Sequence, residues 1–218
     1  DNSAPVFTLE DAVLPADATV LLIAAGDPLN RDGNPPFNLF ITNAREAAET
    51  AGNVEAVVFH GSPDAPTVDV VGRGVGILVD DISFGEFSDG YLSVPPARYE
   101  LDVELADNSA TAASFVADLS GAAEAAIAVL ASGFLAPATD ADPGFGLLAV
   151  FADGTTALLP AIDEAFTFTL IDTQTDEASF AFDPIPQDAV LDLNVLPNEV
   201  GIRANVNGET ESVVFDFN

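Results

Sequence analysis

One short segment of the chain holds the side-chain types of a serine hydrolase. His60 is the only histidine, and Ser62 and Asp64 follow it at alternate positions. A catalytic triad requires three side chains that converge on one point, and residues i, i+2 and i+4 along a strand and turn do not converge. We therefore predict that His60 ends a strand and bonds to the backbone, that Asp64 accepts backbone N–H groups, and that the chain is not an enzyme.

Carboxylates are numerous enough to raise the question of a metal site or a glycosidase pair. The chain has 36 Asp and Glu residues, so some pairs come together by chance, and neither an EF-hand loop nor a glycine-rich nonapeptide is present. The densest groups are Asp80 with Asp81, Asp140 with Asp142, and Asp172 with Asp176 and Glu177. We predict no cofactor, with calcium at Asp140 and Asp142 as the alternative.

The charge balance excludes several function classes. Five arginines and no lysine stand against those carboxylates, for a net charge of −31, so a nucleic-acid interface is excluded. Without cysteine there is no disulfide or thiolate site, and the apolar runs are far shorter than the roughly 18 residues of a membrane span. A chain rich in Asp and free of Lys favours a halophilic protein, because about 1 M salt shortens the Debye length to about 3 Å and screens the repulsion between carboxylates. Calcium-rich or acidic surroundings are the alternatives.

Short apolar segments separated by Gly, Pro, Asn and Asp clusters predict an all-β fold. The glycines of Gly72–Gly76 are read as a hairpin turn, since their spacing does not suit a phosphate loop. One short helix is expected at Ala44–Thr50, capped by Asn43 and ended by Gly52. The clearest strand predictions are Val54–Phe59, Thr67–Val71, Gly76–Val79, Tyr99–Leu105, Phe166–Ile171 and Ser212–Phe217.

An internal repeat organises the first three quarters of the chain. Asp17–Gly26 resembles Glu124–Gly133, and Pro36–Phe40 resembles Gly144–Leu148. The repeat also decides that the alanine-rich stretch Gly121–Leu135 is a strand, because its counterpart is rich in β-branched residues. We predict a partial β-sandwich repeat over 1–52, the back half of a unit, then a complete repeat over 53–161 and a C-terminal β segment over 162–218.

A longer motif carries a family resemblance. His60–Val70 reads His-Gly-Ser-Pro-Asp-Ala-Pro-Thr-Val-Asp-Val, and Ile82–Tyr91 and Val94–Tyr99 add further matching pieces. These segments resemble the secreted prokaryotic family known as domain of unknown function 4397, from which the chain departs at Gly61, where alanine is usual. The resemblance implies small antiparallel β-sandwiches, Ig-like in architecture, in extracellular and cell-surface proteins, with no known catalysis.

The partial repeat directs the functional prediction, because a sandwich without its first strands exposes edges that recruit other strands. We expect a non-enzymatic extracellular structural protein whose copies self-associate into a surface filament or array by β-strand donation, with possible cell-surface or polysaccharide contact. The alternatives are a slice of a tandem-repeat adhesin or stalk and, more remotely, a polysaccharide hydrolase. The expected assembly residues are Val6, Phe7, Val213, Phe215 and Phe217.

Overall fold

The computed structural model describes residues 16, 18–31, 33–107, 109–162, 166–175, 177–178, 185, 196 and 200–206, and this part of the chain is all β, as predicted. None of these residues forms a helix of the length and apolarity that a membrane crossing requires. The strands are β1 (Val20–Ala25), β2 (Asn38–Asn43), β3 (Val54–His60), β4 (Val68–Gly72), β5 (Gly76–Ile82), β6 (Leu92–Val94), β7 (Arg98–Leu105), β8 (Thr111–Asp118), β9 (Ala126–Ser132), β10 (Gly146–Phe151), β11 (Thr156–Leu158), β12 (Phe166–Asp172), β13 (Glu177–Ala178) and β14 (Val200–Val206).

Strands β3 to β11 form two sheets, which we call the sandwich. One sheet has the order β11-β10-β9-β3-β6 and the other has the order β5-β4-β7-β8. Their inner faces share a core, to which Val58, Ala131 and Leu147 contribute from the first sheet and Val103 and Phe115 from the second. Alternation along each strand places these side chains inward, where burial of apolar surface stabilises the fold.

The five-stranded sheet contains one parallel pair. β3 runs parallel to β9 on one side and antiparallel to β6 on the other. All seven residues of β3 are buried, as is typical of a strand that has neighbours on both edges and covered faces. β3 is therefore an interior strand of this sheet, between β9 and β6.

β1 and β2 form a separate antiparallel sheet, paired from Val20 opposite Asn43 to Ala25 opposite Asn38. We call β1, β2 and the residues between them the N-terminal hairpin. It belongs to the same compact unit as the sandwich, Asp1–Ile162. Because an isolated two-stranded hairpin is marginally stable in water, its stability depends on what it packs against.

A second compact unit spans Asp163–Asn218. Its described strands form a three-stranded antiparallel sheet with the order β13-β12-β14. Leu170 of β12 is buried, as expected for an apolar side chain on the covered face of a sheet.

Most strand predictions are confirmed by the described residues. Val54–Phe59 lies in β3, Tyr99–Leu105 in β7 and Phe166–Ile171 in β12. The alanine-rich stretch contains β9, so the strand assignment holds there against helix propensity. The turn between β4 and β5 is also as predicted, whereas Ser212–Phe217 lies outside the described residues.

The helix predicted at Ala44–Thr50 is wrong. This segment contains bends and no helical turn. The backbone N–H groups of Glu49 and Thr50 donate to the carboxylate of Glu55 on β3, at 3.1 and 3.0 Å. Because a carboxylate from another element takes these donors, the segment is an irregular link between the N-terminal hairpin and the sandwich.

Candidate functional site

The N-terminal hairpin and the β9–β10 hairpin share the same closing geometry. Gly26 follows β1 with φ of 108°, and Gly133 follows β9 with φ of 84°. A Cβ on Gly26 would lie 2.3 Å from the carbonyl oxygen of Pro36, and one on Gly133 would lie 2.1 Å from that of Gly144. In both loops the next residue donates its N–H across the loop, at 2.9 and 2.8 Å. Both turns therefore require glycine, for its positive φ and for close backbone approach.

The two hairpins differ in their neighbours. β9 has β10 on one edge and β3 on the other, whereas β1 has β2 and no second neighbour among the described residues. Leu22 and Ile41 face each other across the N-terminal hairpin and are 53% and 43% exposed. The matching pair in the other hairpin, Val129 and Ala149, packs in the sandwich core. Within the described part of the chain, the N-terminal hairpin thus has one strand edge without a partner and an exposed apolar face.

A groove of 760 Å³ follows the length of β1, and we call it the edge groove. Its lining includes every residue from Leu21 to Ala25. The facing wall includes Leu130, Leu148 and Val150, from β9 and β10 of the sandwich. Because both walls are apolar, a strand placed beside β1 would remove apolar surface of the hairpin and the sandwich from water together.

Arg31, in the loop of the N-terminal hairpin, connects the hairpin to the sandwich. Its Nε donates to Asp27 at 2.7 Å, and its Nη1 donates to Asp142 of the β9–β10 loop at 2.8 Å. Its guanidinium also lies over the ring of Phe134, 4.5 Å from the ring centre. The hydrogen bond from Arg31 holds the pKa of the buried Asp27 far below its ordinary value. A buried ionised carboxylate needs such a partner, and here the partner bridges two loops.

Arg45 and Glu55 form a second connection. The carboxylate of Glu55, which is buried on β3, accepts hydrogen bonds from Arg45 Nη1 and from the backbone N–H groups of Glu49 and Thr50. These bonds, of which the one from Glu49 contributes most, lower the pKa of Glu55 to about 2. The guanidinium of Arg45 lies over the ring of Tyr91, 4.5 Å from its centre. A buried carboxylate therefore fixes the link between hairpin and sandwich.

Phe40 of β2 supplies the apolar part of this contact. Its ring centre lies 5.1 Å from that of Phe59 and 5.7 Å from that of Phe84. Such tilted and edge-to-face pairs add to the free energy of area burial. We call Arg31, Arg45 and Phe40, with the partners named above, the junction.

His60, Ser62 and Asp64 each bond to the backbone. His60 Nε2 lies 3.0 Å from the carbonyl oxygen of Pro66, and the Ser62 hydroxyl donates to the carbonyl oxygen of Gly133 at 2.7 Å. Asp64 accepts two successive N–H groups of the loop after β9, at 2.7 and 2.8 Å. The backbone bonds predicted for His60 and Asp64 are confirmed. Ser62 and Asp64 thus tie the β3–β4 corner to the β9–β10 loop, whereas His60 bonds within the corner.

Asp140 and Asp142, the proposed calcium ligands, differ in their contacts. Asp142 accepts the hydrogen bond from Arg31 and two more from the N–H and hydroxyl of Thr139. Asp140 is exposed. The carboxylate of Asp142 therefore already has three donors in the junction.

A second cluster of carboxylates has the spacing of metal ligands. Oxygens of Asp69, Asp80 and Asp81 lie within 4.8 Å of one another on the β4–β5 hairpin, a grouping found among the described residues. Asp69 is buried and accepts the N–H of Asp81 at 2.7 Å. The sequence analysis named Asp80 and Asp81 but missed Asp69, which lies 11 positions earlier and joins them through strand pairing. These oxygens could hold a hard cation such as Ca²⁺.

The expected assembly residues Val6, Phe7, Val213, Phe215 and Phe217 lie outside the described residues. Their role in assembly therefore stays a prediction.

Sequence reasoning also missed the junction, although two signals pointed to it. With five arginines among 36 Asp and Glu residues, each arginine can be expected to form an ion pair with a carboxylate. Glu55 is the one charge in the apolar run Val54–Phe59, and a buried carboxylate must be paired. What the sequence did not contain was the pairing of Arg45 with Glu55, since it follows from the fold.

The family described as Domain of unknown function (DUF4397) matches residues 54–156. This part of the chain is a DUF4397 domain. The match begins with β3 and ends in β11, so the domain corresponds to the sandwich. No curated protein and no solved structure matches the chain.

Proposed function

We propose that this chain is part of a non-enzymatic, extracellular structural protein made of tandem DUF4397-type repeats, in which the N-terminal hairpin closes the repeat that precedes the sandwich. Its role is that of a stalk or spacer at a cell surface. The observation that carries this proposal is the likeness of the two hairpins. One is enclosed in a sandwich, while the other has an edge without a partner among the described residues and an exposed apolar face.

The sandwich defines what would complete the N-terminal hairpin. β9 is covered on its free edge by β3, in parallel, and on its inner face by the sheet of β4, β5, β7 and β8. All of these strands precede β9 in the chain. By the same geometry, β1 requires the front half of a sandwich placed before it. In the equivalent register, the residue that takes the place of Glu55 would lie opposite Thr19, and the one in place of His60 opposite Ala24.

A second copy of this chain is a poor source of that front half. Its own β3 is paired on both edges within its five-stranded sheet and is buried along its whole length. Supplying β3 to a neighbour would open the donor's core at the cost of its own pairing and burial. A preceding repeat in the same longer protein supplies the same strands with no such loss.

The junction gives the proposed stalk its stiffness. Phe40, Arg31 and Arg45 attach the closing hairpin of one repeat to the outer face and loops of the next. Glu55 and Glu124 bind backbone N–H groups of the link between the two, including that of Gly52. Successive repeats would therefore keep a fixed orientation relative to each other, and the proposed surface stalk would be rigid.

Strand donation between copies, which forms a filament, is the second candidate. The edge groove favours it, because the groove lies along β1 and an added strand there would contact two apolar walls. A single donated strand, such as the Ser212–Phe217 segment, would pair the edge but would leave the face of Leu22 and Ile41 uncovered. The tandem arrangement accounts for the edge and the face together.

The test is to place a copy of residues 53–106 before residue 1. If the tandem proposal holds, the added front half completes the N-terminal hairpin, and the β1 amides from Val20 to Ala25 gain protection against hydrogen exchange. The matched control carries Val57→Pro in the added copy only, which removes a backbone donor from its β3 equivalent, and should leave the β1 amides unprotected.

Two outcomes would contradict the tandem proposal. One is unchanged exchange at β1 with the added front half. The other is long polymers of the unmodified chain in electron micrographs, lost when the chain is shortened at residue 206, which would support strand donation instead.

A further inference from the structure

A cavity of 260 Å³ lies inside the sandwich, and we call it the core cavity. Side chains from both sheets line it, among them Val129 and Ala149 from one and Val70 and Leu101 from the other. Protein cores contain few voids larger than a water molecule, so an apolar space of this size is exceptional. It is also large enough for an organic molecule, since an apolar cavity of about 150 Å³ accommodates benzene.

His60 also lines the core cavity, and its side chain carries an unused hydrogen-bond acceptor. The residue is 1% exposed. Its Nε2 lies 3.0 Å from the carbonyl oxygen of Pro66, and because a carbonyl only accepts, Nε2 must carry the proton. Nδ1 is therefore a lone-pair acceptor. It is buried and has no hydrogen-bond partner within the described part of the chain.

A buried acceptor without a donor is costly, and native structures rarely keep one without a reason. Burial also lowers the pKa of His60, which keeps the ring neutral and Nδ1 free to accept at neutral pH. The donor that fits must come from a group that enters the sandwich. The apolar lining selects a molecule that is otherwise hydrophobic.

We infer that the core cavity is a binding site for a small hydrophobic molecule with one hydrogen-bond donor, a hydroxyl or N–H group that bonds to Nδ1 of His60. An aromatic or short-chain alcohol has this chemistry. The site lies within one DUF4397 domain and is independent of the tandem arrangement proposed above. The sandwich would then carry a ligand in addition to acting as a spacer.

The binding test compares phenol with toluene, which have similar shapes and differ in the hydroxyl donor. His60 is the only histidine, so nitrogen NMR of the labelled imidazole reports on it alone. We expect saturable binding of phenol with an upfield shift of the Nδ1 resonance, and no such shift with toluene. Absence of saturable phenol binding, or phenol binding without a shift at Nδ1, would overturn the inference.

Two variants locate the bound molecule. Ala149→Leu fills the core cavity and should abolish binding of phenol, whereas Val150→Leu, the next residue of the same strand on the opposite face, should not. His60→Phe removes the acceptor but keeps a ring, and should weaken phenol binding about tenfold while toluene is unaffected. Phenol binding that survives Ala149→Leu would place the molecule elsewhere and refute the site. If a variant does not fold, the comparison of phenol with toluene on the unmodified chain still shows whether a donor binds to Nδ1 of His60.

Discussion

The two hairpins of the first compact unit, β1–β2 and β9–β10, close in the same way and lie in different surroundings. Each has a positive-φ glycine after its first strand and an N–H bond across the loop. Val129 of the second hairpin packs in a core, while its counterpart Leu22 is largely exposed. Hairpin geometry is therefore encoded locally, whereas burial depends on strands that are distant in the chain.

The largest effect should come from the closing glycines. Gly133→Ala places a Cβ 2.1 Å from a carbonyl oxygen and should lower the free energy of unfolding of the sandwich by about 3 kcal/mol or more. Gly26→Ala should release the N-terminal hairpin and leave the sandwich folded. Urea denaturation and hydrogen exchange measure the two effects.

Gly154→Ala is the matched control for Gly133→Ala. Gly154 has the same φ of 84° but nothing within 4 Å of its added Cβ. This substitution should therefore lower the free energy of unfolding only by the strain of placing alanine at a positive φ, about 1 kcal/mol. Equal costs at Gly133 and Gly154 would show that the close backbone approach within the β9–β10 loop has no energetic role.

A smaller difference should separate the equivalent residues Val129 and Leu22. Val129→Ala removes core contacts and should cost about 1 to 2 kcal/mol, while Leu22→Ala should change stability by less than about 0.5 kcal/mol. Thermal melts of the two variants provide the measurement. A large cost for Leu22→Ala would mean that its face is covered in the isolated chain, and the comparison of the hairpins would fail.

The pH dependence of the junction should be confined to the N-terminal hairpin. The folded pKa of Glu55 is about 2, below its ordinary value of 4.5. Its stabilisation is therefore complete above about pH 4.5 and is lost as the pH falls through about 2. Hydrogen exchange of β2 should quicken in this window before that of β9, and Glu55→Gln should flatten the response. Simultaneous loosening of both hairpins would contradict this assignment.

Salt should act on the whole chain with the smallest difference between regions. The net charge of −31 is self-repelling, and screening it should raise the melting temperature between low salt and about 1 M. The buried carboxylates of the junction are screened less than exposed ones, so the hairpin should stay attached. A melting temperature that does not change across this salt range would contradict the halophilic interpretation.

Much of the fold was predictable from sequence because it rests on local patterns. Alternating apolar segments located β3, β7 and β12, and the similarity to β1 identified β9 despite its alanines. The helix prediction at Ala44–Thr50 failed because Glu55, from outside the segment, takes its N–H groups. Local propensity does not register a competing acceptor on another strand.

The candidate site was predictable only in part. The sequence indicated that the β3–β4 corner around His60 was bonded to the backbone, whereas the partial repeat over 1–52 stays a prediction. It did not indicate that β3 runs parallel to β9, that β1 has one neighbour among the described residues, or that Arg31 and Arg45 bridge the hairpin and the sandwich. Each of these depends on strand order, which sequence patterns do not specify.

By itself, the sequence determined the all-β class, the closing glycines, the charge that requires screening and the DUF4397 motif, because these depend on residue type and near-neighbour spacing. Tertiary structure alone decided that β3 pairs with β9, that β1 lacks such a partner among the described residues, and that His60 borders an apolar cavity with one acceptor unused. The physical reason is that pairing and burial join residues far apart in the chain, and their free energy exists only once the sheets have assembled.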